Sequence, residues 1–319
     1  MASAETNVLA LDFGGTKLAA AVVDPNNGEI RAVQRHSTPA RQGARASIQT
    51  MFELGRQALR EAGLSVPTRV GISFGGPVAS DRTTVLKSNH VADWEGMPLP
   101  QLARDAFGCP AFMDNDANAA ALGAWAFDAH RQPDHMVYIQ VSTGVGGGLI
   151  LNRALYRGGA LAGEFGHITV EPGGPLCACG KHGCVESLCS GWALARDGRT
   201  DLQQADPHSP LYRLSAGSPE NVDARLLIQA AEEGDPLAKA RIEHGFTALG
   251  IAIANVICLL DPELVVLGGG ITRAENTMRA ILEPVLAREV HPLFQTRYRL
   301  QFSRLDGKET LLGAALLED

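Results

Sequence analysis

The chain has 319 residues, Lys+Arg 28 against Asp+Glu 35, a formal net charge of -7 and 45% hydrophobic residues. That length leads us to expect two domains, and the apolar content with aperiodic glycine excludes a disordered or collagen-like chain. The acidic balance gives no reason to expect a nucleic-acid partner, because phosphate binding wants a basic face.

In chain order, 7–13 is an apolar run ending in Asp12-Phe13-Gly14-Gly15-Thr16-Lys17, and 18–23 is a second apolar run. Strand, glycine turn, strand is the reading. A third strand is expected over 29–36. Residues 43–62 have helical periodicity, with Ile48, Met51, Phe52, Leu54 and Leu59 on one side. A strand over 69–74 runs into Gly75-Gly76-Pro77. A short strand over 111–113 ends at Asp114-Asn115-Asp116, before an Ala-rich helix over 117–126. The pattern then restarts. The apolar strand 135–141 leads through Ser142-Thr143-Gly144-Val145-Gly146-Gly147-Gly148 into 149–151, a faint internal duplication with one copy per domain.

Residues 198–220, polar and rich in Pro, Gly and Ser, are expected to form a surface connection or lid. Helices follow over 223–233 and 236–260. The greasiest stretch, 246–260, is too short to span a bilayer and reads as a buried helix. A strand over 263–267 runs into Gly268-Gly269-Gly270. A helix over 274–288, a strand over 298–303 and a closing helix over 308–317 complete an α/β protein. No basic region followed by an apolar stretch opens the chain, so a cytoplasmic protein without a membrane partner is expected.

Glycines in a turn let backbone N–H groups approach an anion, and Thr16 and Lys17 add donors. Asp12 could hold a hydrated Mg²⁺ riding on a nucleotide. A plain hairpin turn is the alternative. The recurrence at Thr143-Gly144 and the glycine edge at Gly269 favour phosphate binding. Asp116 sits at a strand end, where ligand clefts of α/β sheets open, and could take a proton from an acceptor hydroxyl. The same Asp and Asn residues could serve only to cap a helix.

Three of the six cysteines, Cys177, Cys179 and Cys184, follow His167 in the spacing H-x9-C-x-C-x4-C. Three thiolates and one imidazole make a closed tetrahedral Zn²⁺ site of the structural type. Buried thiols are the alternative. Cys109, Cys189 and Cys258 lie in apolar contexts and read as core. Glu164, His167 and Glu186 would be gathered by the fold of this loop, a grouping suited to a polyhydroxylated ligand. Solvent-facing glutamates are the alternative.

Taken together, Asp12 to Lys17, Asn115-Asp116-Ala117-Asn118-Ala119-Ala120, Glu164-Phe165-Gly166-His167 and the cysteine cluster closing on Glu186 resemble the ROK family of sugar kinases, in order and spacing over nearly the whole chain. The resemblance implies an actin-like ATPase fold of the hexokinase (ribonuclease H-like) type, with two lobes and a cleft between them. It implies a small lobe of 1–115 plus 306–319 and a large lobe of 116–305 carrying a zinc loop over 164–186. It implies ATP and Mg²⁺ as cofactors beside structural Zn²⁺, a homodimer, and Asp116 as general base. Gly76, Asn89, Asn115, Asp116, Glu164, His167 and Glu186 would contact the sugar. Asp12, Gly14, Gly15, Thr16, Lys17, Thr143, Gly144 and Gly269 would lie near ATP. His167 would serve both zinc and sugar.

The run 167–175 looks like bacterial glucokinases of the family, so glucose is the expected substrate. Phe165 is also compatible with the family's N-acetylglucosamine or N-acetylmannosamine kinases, and Phe74-Gly75-Gly76-Pro77 replaces the family's commoner small-residue form before the sugar loop, so these kinases are the alternative. A non-catalytic sugar-sensing protein is a further alternative, against which Asp116 argues. The family's repressors carry a helix-turn-helix region ahead of the phosphate turn, and eleven residues before Asp12 are too few for one.

Overall fold

The computed structural model describes residues 7–88 and 91–318. They form two compact units. The first comprises residues 1–134, 148–163 and 304–319, and the second residues 135–147 and 164–303.

In the first unit β1 (Val8–Phe13), β2 (Lys17–Val23), β3 (Ile30–Ser37), β4 (Arg69–Phe74) and β5 (Ala111–Asn115) make one sheet in the order β3-β2-β1-β4-β5. The first three strands are antiparallel; β1, β4 and β5 are parallel. Strand β1 is apolar throughout except at Asp12 because both its faces are covered. Leu9, Leu11 and Phe13 join the core formed with α1 (Gly43–Glu61) and α2 (Leu99–Phe107). Val8 and Ala10 face Leu311 and Leu312 of α10 (Glu309–Ala314). The helix α3 (Asp116–Gly123), capped by Asn115, continues into a π-helical turn over Ala124–Asp128 and packs on α10.

The second unit starts the same way, with β6 (Met136–Val141), a glycine-rich turn and β7 (Val145–Leu151). Strands β9 (Leu264–Gly268) and β10 (Arg299–Phe302) extend the sheet as β10-β9-β6-β7, with β6, β9 and β10 parallel. From Gly148 onward β7 belongs to the first unit, where it forms a hairpin with β8 (Ala154–Tyr156). The helices are α4 (Glu186–Cys189), α5 (Gly191–Leu202), α6 (Pro210–Ser215), α7 (Ala224–Glu232), α8 (Pro236–Leu260) and α9 (Glu275–Glu289). Helix α8 is long and apolar enough to cross a membrane by length and composition. In the fold it buries Ile242, Phe246, Leu249, Ile253 and Ile257 and packs against α4, α5, α7 and α9. Asp235 caps it, with Oδ1 accepting from the N–H groups of Leu237 and Ala238 while Oδ2 accepts from Leu211.

Several expectations differ from these elements; Cys258, expected in the core, is exposed on α8. The supposed connection over 198–220 holds the end of α5 and all of α6. Ser209 caps α6, Pro210 occupies its first turn and Leu211 is fully buried, so short-range helix signals override the polar composition. Helix α2 and strand β8 went unrecognised. The compact units divide at 134/135, whereas the expected lobes divide at 115/116, because α3 packs on α10 within the first unit.

Helices α3 and α10 touch backbone to backbone. A Cβ placed on Gly313 would come 1.6 Å from the Ala119 carbonyl oxygen, and one on Gly71 of β4 would come 1.8 Å from that of Ala314. Neither neighbour can rotate away as a side chain would. Gly313→Ala is therefore expected to cost about 3 kcal/mol or more, read as a lowered urea midpoint. An unchanged midpoint would show that the crossing tolerates a methyl group.

Candidate active site

The strand register of the first unit lines up the polar groups. Asp12 of β1 pairs with Ser73 of β4, and Ser73 with Asp114 of β5. One residue further on, Phe13, Phe74 and Asn115 form the next row. All three parallel strands therefore end together, and each runs into a turn: Gly14-Gly15, Gly75-Gly76, and the Asp116 corner. The Gly75 N–H donates to the Phe13 carbonyl at 2.9 Å. The position of a Cβ on Gly75 would lie 3.6 Å from the Gly14 Cα and 3.8 Å from Asp116 Oδ2. The Gly14 turn and Asp116 thus converge on one glycine.

Asn115 is fixed from two sides. Its Oδ1 accepts from the N–H groups of Ala117 and Asn118, and its amide donates to the Gly76 carbonyl at 3.1 Å. Beneath it Asp114 is buried and accepts three bonds: Asn115 N–H at 2.8 Å, Asn118 Nδ2 at 2.8 Å and Arg157 Nε at 2.6 Å. A desolvated carboxylate requires this many donors. Asp116 itself is half-buried at the start of α3, with Oδ1 accepting from Ala117 N–H. Asp12 accepts from the Ser73 hydroxyl at 2.8 Å. Desolvation still pushes its carboxyl up to about 6, a shift that Ser73 and Lys17 only partly oppose. Thr16 and Lys17 are exposed, and Thr38 holds the turn through the Gly14 carbonyl. Asn89, expected among the sugar contacts, lies outside the described residues.

In the second unit the turn after β6 is held by a bond from Ser142 N–H to the Gly144 carbonyl, and by Gly191 and Trp192 N–H groups donating to the Ser142 and Thr143 carbonyls. Thr143 is exposed. Gly269, at φ +95°, follows β9, and Thr272 donates to its carbonyl. Glu186 opens α4 and its Oε2 accepts from Val145 N–H at 3.0 Å. Glu164 and His167 lie together, with Oε2 and Nε2 3.8 Å apart.

The four expected metal ligands do converge. One donor atom each of His167, Cys177, Cys179 and Cys184 lies within 4.8 Å of the others. Cys179 and Cys184 Sγ are 3.7 Å apart, and Cys177 Sγ is 3.6 Å from His167 Nδ1. A tetrahedron with Zn–S of about 2.3 Å and Zn–N of about 2.0 Å puts such pairs about 3.8 and 3.6 Å apart. The donor set therefore fits zinc. His167 turns Nδ1 to the thiols and leaves Nε2 on the side of Glu164. Lys181 donates to the His167 carbonyl and closes the loop. Burial pushes the Cys177 thiol up to about 12, so its thiolate needs a bound cation.

The ROK family profile matches residues 8–319. The chain belongs to the ROK family. A glucokinase of Thermotoga maritima is 33% identical over 309 residues, covering 97% of this chain and 96% of that one. An N-acetylmannosamine kinase of Salmonella typhi is 34% identical over 313 residues, covering 97% of each. The crystal structure of a ROK family glucokinase from Streptomyces griseus in complex with glucose and AMPPNP superposes with a TM-score of 0.83 at 32% identity, covering 97% of this chain and 98% of that one. The fold is thus the actin-like ATPase fold of ROK hexokinases. Sequence reasoning about this ROK chain left Asp114 without a role and passed over Ser73 and Arg157. The position of Asp114 at a strand end was a usable signal, whereas a single loop arginine offers none.

Two outcomes follow. The purified protein should carry about one zinc ion per chain, and Cys184→Ser should lose it and render the 168–184 segment cleavable by protease, as metal analysis and limited proteolysis would reveal. Asp12, raised to about 6 in the folded protein from its ordinary value of 3.8, is neutral in both states at low pH. Above about pH 4 the unfolded chain ionises first, so native stability falls as pH rises to 6 and the full penalty persists above it. Asp12→Asn should raise nucleotide-free stability at pH 7.5 by about 3 kcal/mol and leave it unchanged near pH 3.5. Equal stabilities at both pH values would mean that Asp12 is well solvated.

Proposed function

We propose that this ROK protein is an ATP-dependent hexose kinase that makes glucose 6-phosphate from glucose. The convergence of the Gly14 turn and Asp116 on Gly75 carries the reading, since phosphoryl transfer needs a phosphate cradle and an acceptor-orienting carboxylate side by side. The relatives named glucokinase, at 31–33% identity, support the substrate.

In this reading the sugar 6-hydroxyl donates a hydrogen bond to Asp116, which orients the oxygen for in-line attack and takes its proton as the γ-phosphoryl group moves. Asn115, locked by the Gly76 carbonyl and its own cap bonds, holds the corner rigid. Gly76, Asn89, Asn115, Glu164, His167 and Glu186 bind the sugar hydroxyls. The outward Nε2 of His167 suits that task, because metal binding through Nδ1 leaves it as an N–H donor. Gly14, Gly15, Thr16, Lys17, Thr143, Gly144 and Gly269 bind the nucleotide. Mg²⁺, when bound, neutralises phosphate charge. The under-compensated carboxylate of Asp12 suits holding it through its water shell. The protein acts in the cytoplasm as a homodimer.

A second reading, an N-acetylmannosamine kinase, is favoured by the relative of that name at 34% identity. ADP release measured across glucose, N-acetylglucosamine, N-acetylmannosamine, mannose and fructose separates the two. Glucose is expected to give the highest kcat/KM. Asp116→Asn should lower kcat by about 10³ while glucose still binds. Turnover that survives this change would remove Asp116 from the reaction.

A further inference from the structure

The segment that carries the zinc ligands also holds the turn over 142–145. Glu186 lies two residues beyond the ligand Cys184, and its Oε2 accepts from Val145 N–H at 3.0 Å. A Cβ on Gly144 would stand 2.7 Å from that same oxygen. The carboxylate therefore lies flat on the turn, in space that any side chain at 144 would take. From the other end of the segment, Gly166 precedes the ligand His167 and backs onto the same residue. A Cβ on Gly166 would come 2.1 Å from the Val145 carbonyl oxygen. Val145 thus has its N–H bonded by Glu186 and its C=O packed closely on Gly166, one on each side of the zinc ligands in the sequence. The N–H groups of Gly191 and Trp192, beyond Glu186, add bonds to the Ser142 and Thr143 carbonyls at 2.8 and 3.1 Å.

A hydrogen bond from a backbone N–H to a side-chain oxygen is short-ranged and directional, so it fixes peptide orientation well. A turn that binds phosphate does so through the direction of its peptide groups. We propose that Glu186 is a positioning residue for the nucleotide turn. Its Oε2 sets the Val145 peptide, and with Gly166 it ties the shape of the 143–145 turn to the zinc cluster. The inference rests on the reading of Thr143 and Gly144 as nucleotide-binding. It adds to the sugar contact proposed for Glu186, for which Oε1 remains.

The test is the affinity of AMPPNP with Mg²⁺ for the full-length, zinc-loaded protein in the absence of sugar, measured by calorimetry. Glu186→Ala removes the acceptor. Glu186→Asp keeps the charge but withdraws it from Val145. Glu186→Gln keeps an acceptor at the same reach without the charge. The Ala and Asp variants are expected to bind AMPPNP about fivefold or more weakly, and the Gln variant within about twofold of the parent. The KM for ATP at saturating glucose should follow the same order, with zinc content retained. A residue that touches sugar alone would raise the KM for glucose and leave sugar-free AMPPNP binding unmoved, which would overturn the inference. So would a retained affinity in Asp with a loss in Gln, which would assign the effect to charge. If the parent protein binds glucose but no AMPPNP, the nucleotide assignment of the turn fails and this inference fails with it.

Discussion

Asp114 is a carboxylate with almost no water around it, and the corner of the first unit that carries Asn115 and Asp116 is built over the donors that satisfy it. Arg157, Asn118 and the Asn115 peptide converge on its two oxygens. A buried charge stripped of even one such partner is costly, so these groups cannot drift. Asn118 lies on the inner side of α3 and Asn115 is its cap, so the same bonds that neutralise Asp114 fix the start of that helix. Asp116 inherits its position from them. The reach of Arg157 from beyond β8 also pins the segment that leads toward Glu164.

Both units use a strand, a glycine turn and a strand, yet they stabilise the turn differently. In the first, the turn after β1 leans on other strands of a well-filled sheet, through Thr38 and Gly75. In the second, the turn after β6 leans on Gly166, Glu186, Gly191 and Trp192, which flank a loop with little apolar content of its own. Segment 172–183 supplies few buried side chains, chiefly Cys177, and the four donors gathered there could hold a metal in place of a core.

Much of this was legible in the sequence because the signals were local. The run from Val8 to Val23 shows its strands by uninterrupted burial and its turn by Asp, Gly and Thr. The Cys177, Cys179 and Cys184 spacing could be read as a metal site, and the ligand atoms meet as that spacing required. The less legible parts depend on partners far apart in the chain. Arg157 is 43 residues from Asp114, and nothing around it marks the pairing. The unit boundary depends on α10, whose backbone contact with α3 is made through Gly123 and Gly313, and nothing in the sequence pairs these two helices. Composition misled over 198–220, where Ser209 and Pro210 start a helix inside a polar stretch. The meeting of Glu186 with Val145 joins two motifs that had been assigned to different ligands.

The closeness of α3 and α10 also bears on the order in which the protein can be completed. One face of the first sheet, with Val8, Ala10, Ala19 and Ala21, is closed by Leu311 and Leu312. Those side chains emerge only after the whole of the second unit has been made, since residues 164–303 precede them. During synthesis the second unit can therefore assemble while the first still has an open apolar face and an unseated α3. The corner bearing Asp116 gains its backing only once the chain has been made through residue 315, and a ribosome-bound chain short of that point exposes alanine and valine surface that a chaperone would recognise.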